Sequence, residues 1–411
     1  MNPTIEQTRA AASVDRTIQL LATGEKPGGA CTPDLAKGPW EFDAGPAGYG
    51  PGSSMGDVIP TGAPRQGALP EAYRTASNDE LHARIRAAKA TLGDRAVVLG
   101  HFYQRDEVIE HADFVGDSFQ LANAALTRPD AEAIVFCGVH FMAETAAILS
   151  PRKTVLLPDL ASGCSLADTI NADQLRAWKA EYPGAVVVSY VNTTAAVKAE
   201  SDYCCTSGNA VEIVNSIPAD KEILFLPDLF LGAHVRRVTG RQNFHVWLGE
   251  CHVHAGITPL SLARQRAEHP GAELLVHPEC GCATSVVEAM SAGSIPSDGV
   301  QVLSTEGMIR RPGESGNKEF IVATETGILH RLRRANPDKT FYAASDRAEC
   351  QYMKMTTLPK VLASLELMQH RITVPDDVAA RARLALERMV AVGGNAPHQP
   401  LAGVAGFDPG E

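Results

Sequence analysis

The chain has 411 residues, 45% hydrophobic and 21% charged, with a net charge of −11 at pH 7. These are globular proportions with ample apolar material for a core, and the length fits roughly two to four domains. The acidic balance argues against nucleic acid as a main partner, because a phosphate backbone needs a basic face. There is no run of about 18 apolar residues to span a membrane. The N-terminus, MNPTIEQTRAAASVDRTIQLL, lacks the basic-then-apolar order of a signal peptide, so a cytoplasmic protein is expected. In that compartment the nine cysteines are expected as reduced thiols, not as a disulfide framework.

Residues 25–75 are rich in Gly, Pro and Ala, and residues 1–80 are expected to form a low-order extension. Order is expected from Asn78, where a Ser/Asn cap precedes the amphipathic pattern DELHARIRAAKATLG. Short β-branched runs follow at 96–100, 133–138, 154–159, 185–191, 222–228 and 273–279, separated by helical patterns. Such runs predict parallel strands in βα units. TGRQNFHV and SDGVQV are expected to add further strands, and Thr357 to Gly394 one or two closing helices broken at Pro375-Asp376. The expected fold is α/β, with three homologous α/β/α sandwich domains at 81–165, 166–255 and 256–372, and a closing helix and tail at 373–411.

Three stretches repeat one plan, and each ends in cysteine. They run from Ile134 to Cys164, Ile223 to Cys251 and Phe320 to Cys350, spanning 30, 28 and 30 residues. Repetition at a fixed offset is an architectural signal. Packed around a pseudo-threefold axis, the units would bring three thiolates to one point, a metal site with a vacant position. Zinc normally closes a tetrahedron with four protein ligands from paired spacings, whereas these cysteines are single and lie 87 and 99 residues apart. Three thiolates and an open corner suit a [4Fe–4S] cluster whose fourth iron is free for substrate. Cys31, Cys137, Cys204 and Cys205 read as small buried hydrophobes. Cys280 and Cys282 form a CxC with no second pair in register.

Ligands of parallel sheets bind beyond the carboxyl ends of the strands. The first strand of each unit empties into a polar cluster: His101 and Tyr103, then Tyr190 with Asn192, then His277 with Glu279. The second strand of each unit leads to Ser118, Ser207 and Thr305. Hydroxyls at helix starts suit carboxylates or a phosphate ester.

At these residues the chain resembles the quinolinate synthase family of de novo NAD biosynthesis. The matching stretches include HFYQRDEVIEHADFVGDSFQLA, SYVNTTAAVKAESDYCCTSGNA, GECHVHAGI, FIVATETGILHRL and CQYMKMTTLPKVLASLE, and the likeness covers residues 95–370. The resemblance implies three homologous α/β/α domains in pseudo-threefold symmetry around a central [4Fe–4S] iron–sulfur cluster. It implies condensation of iminoaspartate with dihydroxyacetone phosphate to quinolinate, phosphate and two waters. Residue by residue, it implies Cys164, Cys251 and Cys350 as cluster ligands. Substrate would be held by His101, Ser118, Tyr190, Val191, Asn192, Ser207, His277, Pro278, Glu279 and Thr305. Glu279 and Tyr103 are the expected proton-transfer groups, with His101, His254 and His277 as partners. Burial near substrate carboxylates is expected to raise the pKa of Glu279 towards neutrality. Because iminoaspartate is unstable in water, functional coupling to L-aspartate oxidase is a further expectation. Residues 1–80 match no part of the family pattern, and the stretch from Gly281 to Arg311 is longer than in shorter relatives. An aconitase-type hydro-lyase would use the same cluster without the HFYQ, YVN and HPE plan, and an iron–sulfur sensor or carrier would close the cluster.

Overall fold

The computed structural model describes residues 68–283, 286 and 299–393. Twelve strands form three four-stranded sheets. The first holds β1 (Ala96–His101), β2 (Phe114–Gly116), β3 (Ala133–Cys137) and β4 (Thr154–Leu156). The second holds β5 (Val186–Tyr190), β6 (Tyr203–Cys205), β7 (Ile223–Leu226) and β8 (Phe244–Val246). The third holds β9 (Glu273–Val276), β10 (Val300–Val302), β11 (Glu319–Ala323) and β12 (Thr340–Ala343). All pairings within these sheets are parallel. Each sheet has the same order: its first strand lies between its second and third, and its fourth lies on the far edge. The first and third strands are buried almost throughout, which explains their continuous Val/Ile/Leu runs in place of alternation.

Register brings the two polar clusters of each unit together. His101 pairs with Gly116, Tyr190 with Cys205 and Val276 with Val302. The chain leaving each second strand therefore starts beside the end of each first strand, and that chain carries Ser118, Ser207 or Thr305. Local sequence then starts the helices. Asp117 and Gln120 form a reciprocal capping box before the helix Ser118–Leu126, and Ser304 caps Thr305–Glu314.

The largest apolar core joins the first and second sheets through Phe136, Leu156, Val188 and Phe225 and reaches Phe320 in the third. A second cluster packs Leu274, Val276 and Ile321 against Ile257 and Leu262. The two C-terminal helices return to earlier parts of the chain. Leu358–Leu367 packs on Asn78–Leu92, and Asp376–Gly393 packs on β6 and on the helices Ala195–Lys198 and His140–Leu149.

The expectation for residues 1–80 needs correction at its C-terminal end. Residues 1–67, including Cys31, lie outside the described residues. Leu69 and Tyr73, however, are buried. The Tyr73 hydroxyl donates to Glu366 at 2.8 Å, and Arg84 pairs with the same carboxylate at 2.7 Å. The apolar body of Tyr73 and its hydroxyl partner dock this stretch, which the surrounding Gly/Pro-rich composition obscures. Tyr73→Ala should therefore destabilise the protein by roughly 3 kcal/mol in denaturant unfolding, and Tyr73→Phe by about 1 kcal/mol. Equal stability of Tyr73→Ala and the unaltered chain would show that the segment is merely draped.

Candidate active site

The carboxyl ends of the three sheets face one cavity. Its walls include His101, Tyr103 and Ser118 from the first sheet, and Tyr190, Asn192 and Ser207 from the second. The third contributes His277, Glu279 and Thr305. Cys164, Cys251, Cys350 and His254 line the same space. Val191 and Pro278 are buried but do not line it.

Each of the three cysteines stands at the start of a helical turn. Cys251 is the N-cap of His252–Ala255 and Cys350 that of Gln351–Lys354, while Cys164 precedes the turn Ala167–Thr169. Backbone N–H groups point at every sulfur: from Ala167 and Leu166 to Cys164, from His254 to Cys251, and from Met353 and Tyr352 to Cys350. Burial pushes all three thiols up, Cys350 to about 12, and the sulfurs of Cys164 and Cys251 repel one another. Three soft donors that share one cavity and receive N–H bonds fit a thiolate-bound iron–sulfur cluster, because a cation is what would make them thiolates there. The loops behind them interlock. Ser165 meets His252 Nδ1 at 2.6 Å, the His252 ring packs edge-on to Tyr352, and the Ser162 hydroxyl donates to the Tyr352 carbonyl at 2.7 Å.

A polar chain crosses the cavity floor. Tyr103 Oη lies 2.6 Å from Thr324 Oγ1, which lies 2.8 Å from His254 Nε2. His254 Nδ1 is 3.2 Å from Glu279 Oε2, and His277 Nδ1 is 3.9 Å from Glu279 Oε1. Ser207 closes the chain, 3.2 Å from His277 Nε2. Charge states follow from burial and neighbours. Burial pulls His101 and His277 down to about 3, with Lys354 adding to the effect at His101. Burial raises the Tyr103 and Tyr190 phenols, so both are protonated donors at neutral pH.

Glu279 corrects the sequence expectation of a raised pKa. Burial does push this carboxyl up, but His277, His254 and the Tyr190 hydroxyl outweigh it and bring it down to about 2. It is a fixed anion and hydrogen-bond acceptor at neutral pH, not a group poised near neutrality.

Several cavity residues escaped the sequence reading. Thr324 and Glu325 follow β11, a third strand, whereas the expected ligands follow first and second strands. Glu325 Oε1 accepts the Cys350 N–H at 3.0 Å and pairs with Lys354 at 3.2 Å, while Oε2 accepts the Gly327 N–H at 2.7 Å. Lys354 also donates to the Tyr103 carbonyl at 2.5 Å. A Cβ at Gly327 would come within 2.7 Å of Lys354 Nζ and 2.8 Å of Glu325 Oε2, so only glycine leaves room for this pair. Asp117, whose carboxyl burial pushes up to about 6, also lines the cavity.

The remaining cysteines divide. Cys137, Cys204 and Cys205 are fully buried. Cys280 and Cys282, expected as reduced thiols, form a disulfide with Cα atoms 5.2 Å apart. One intervening residue already holds the two within bridging range.

Three parallel α/β sheets around a cavity lined by thiols, imidazoles, phenols and a carboxylate define an α/β enzyme scaffold with a metal-capable centre. The chain belongs to the Quinolinate synthetase A protein family, whose profile matches residues 83–391. It is 57% identical to the quinolinate synthase of Mycobacterium sp. (strain KMS) over 318 residues, 77% of this chain and 94% of that protein. It is also 57% identical to the quinolinate synthase of Mycobacterium tuberculosis over 298 residues, 72% of this chain and 85% of that one. The quinolinate synthase of Mycolicibacterium paratuberculosis is 54% identical over 298 residues, 72% of this chain and 85% of that protein.

The buried histidines set a pH dependence of stability. His101 and His277 have folded pKa values near 3 against an ordinary 6.5, so below pH 6.5 the unfolded chain binds protons that the fold does not. In metal-free protein, stability should therefore fall as pH drops from about 6.5 towards 3, by up to roughly 1.4 kcal/mol per pH unit per histidine. Glu279, depressed from 4.5 to about 2, acts in the same direction but only below 4.5. Denaturant midpoints between pH 7 and 5 should shift less in His277→Gln than in the unaltered chain. An unchanged slope would show that His277 is already charged in the fold.

Proposed function

We propose that the chain condenses iminoaspartate with dihydroxyacetone phosphate, releasing phosphate and two waters to give quinolinate for NAD biosynthesis. One observation carries the reading. In a chain of this family, the three repeat-positioned cysteines share a cavity with the polar ends of all three sheets. Cys164, Cys251 and Cys350 would hold a [4Fe–4S] cluster, with pseudo-threefold placement of the units supplying one thiol each. When bound, such a cluster supplies Lewis acidity towards a substrate carboxylate or hydroxyl.

The remaining work falls to side chains. Ser118, Ser207, Thr305 and Asn192 offer donors for carboxylate and phosphate oxygens. Ser118 and Thr305 do so from helix starts, where free N–H groups favour anions. Glu279, held ionised, takes protons as they leave carbon or nitrogen, with His254 Nδ1 3.2 Å from its Oε2. Tyr103 and Tyr190, held protonated, donate to oxygens as they depart. His101 receives the Tyr103 backbone N–H at Nδ1 (3.1 Å), so its Nε2 carries the proton of the neutral ring. Lys354 is engaged by Glu325 and the Tyr103 carbonyl, so the substrate's own amine forms the imine. Functional coupling to L-aspartate oxidase would supply the unstable imine, in a cytoplasmic setting. No helix among the described residues is long and apolar enough to cross a membrane.

Two experiments test the reading. After anaerobic iron and sulfide reconstitution, Cys164→Ser, Cys251→Ser and Cys350→Ser should each lose the brown chromophore and turnover together. Serine at Cys280 or Cys282 should spare the chromophore. A full cluster in Cys350→Ser would remove the ligand assignment. Glu279→Gln should retain the cluster yet lose on the order of 10²-fold in turnover. Turnover per cluster close to that of the unaltered chain would strip Glu279 of its role.

A further inference from the structure

Cys251 has a second set of neighbours besides the other two thiols. Its sulfur, a ring nitrogen of His254 and a carboxylate oxygen of Glu279 all lie within 4.8 Å of one another. His254 and Glu279 are almost wholly buried. His254 Nδ1 stands 3.2 Å from Glu279 Oε2 but makes no hydrogen bond, and neither does Glu279 Oε1. The ring is fixed from its other side, where Nε2 meets Thr324 Oγ1 at 2.8 Å. The contact allows the tautomer in which Nε2 donates to Thr324, and in that tautomer Nδ1 presents a lone pair beside a carboxylate. Two buried electron-rich atoms that do not bond each other call for a cation between them.

The donor set selects the cation. Sulfur, imidazole nitrogen and carboxylate oxygen together suit a borderline ion of the zinc class, bound by three protein ligands with one position open. Tetrahedral zinc bonds place a nitrogen and an oxygen ligand about 3.4 Å apart, close to the 3.2 Å seen between Nδ1 and Oε2. The sulfur needs a further approach on the order of 1 Å to complete the set. Thr324 on the imidazole and the His254 backbone N–H on the sulfur are the outer contacts that orient such ligands.

We propose that Cys251, His254 and Glu279 form a site for a single zinc-class divalent cation, whose occupation excludes the iron–sulfur cluster and holds the enzyme inactive. The exclusion rests on the cluster assignment above, because Cys251 cannot serve both centres; the cation site itself does not. Binding releases the Cys251 thiol proton to solvent and changes no oxidation state.

Full-length protein freed of iron and sulfide, titrated with Co²⁺ in the absence of air, tests the site directly. A sulfur-to-cobalt charge-transfer band with tetrahedral d–d absorption should saturate at one ion per chain and disappear on adding Zn²⁺. Cys251→Ser should abolish the charge-transfer band, and His254→Ala and Glu279→Gln should each weaken binding by about tenfold or more. Cys164→Ser and Cys350→Ser should leave the titration unchanged, with circular dichroism verifying the fold of every variant. A cobalt spectrum that survives in Cys251→Ser, ignores His254→Ala or vanishes in Cys164→Ser would overturn the site, as would absence of binding. Zinc-loaded protein should then take up iron and sulfide at least about tenfold more slowly than metal-free protein. Equal uptake would overturn the exclusion. A chain that takes no cluster even without zinc would overturn the cluster assignment and leave the cobalt result standing.

Discussion

Desolvation of a polar cavity is the constraint on which the rest of the structure depends. Three sheets point their carboxyl ends at one space and line it with groups that would each cost several kcal/mol to bury unpaired. The fold meets much of that cost by pairing. Glu279 is flanked by His254, His277 and Tyr190, Tyr103 by Thr305 and Thr324, and each cysteine sulfur by backbone N–H groups. The sulfurs are met by their own turns, but His254 and Tyr190 reach Glu279, and Thr305 and Thr324 reach Tyr103, from other segments, which fixes those segments relative to one another.

The same logic explains the buried lysines. Lys354 answers Glu325, and Lys360 answers Asp159 at 2.8 Å. Lys198 lies over the Phe141 ring with its ammonium on the Thr193 carbonyl, and burial lowers its pKa. A buried ion pair is weak evidence for stability, since desolvation offsets the attraction. Its value here is geometric. Glu325 holds the backbone of Cys350 and Lys354 holds the backbone of Tyr103, which ties the third thiol to the end of the first strand. Arg105 adds to the clamp by donating to the Lys354 carbonyl at 2.7 Å.

Much of this was legible in the sequence, for reasons that also mark where legibility stops. Long buried strands such as β3 and β7 announce themselves as unbroken apolar runs. Strand-end clusters are readable because topology places ligands there whatever the sequence. Three features could not be read. Tyr73 docks through a partner 293 residues away inside a Gly/Pro-rich context. The Lys354–Tyr103 contact joins residues 251 apart. The ionisation of Glu279 depends on the balance between burial, which raises its pKa, and three neighbours that lower it. Sequence supplies the burial through ELLV and HPE, but the neighbours arrive only with the fold.

That balance gives the cavity its chemical character. Burial alone would leave every group neutral, with phenols and carboxyls protonated and imidazoles unprotonated. His101, His277 and the phenols follow this rule, whereas Glu279 departs from it because His277, His254 and the Tyr190 hydroxyl together outweigh burial. The result is one fixed anion among neutral donors. Groups whose environments push their pKa values apart can divide acid and base duties without exchanging protons with solvent. The anion also raises the Cys251 thiol beside it, on top of burial, so added positive charge is what would ionise that sulfur.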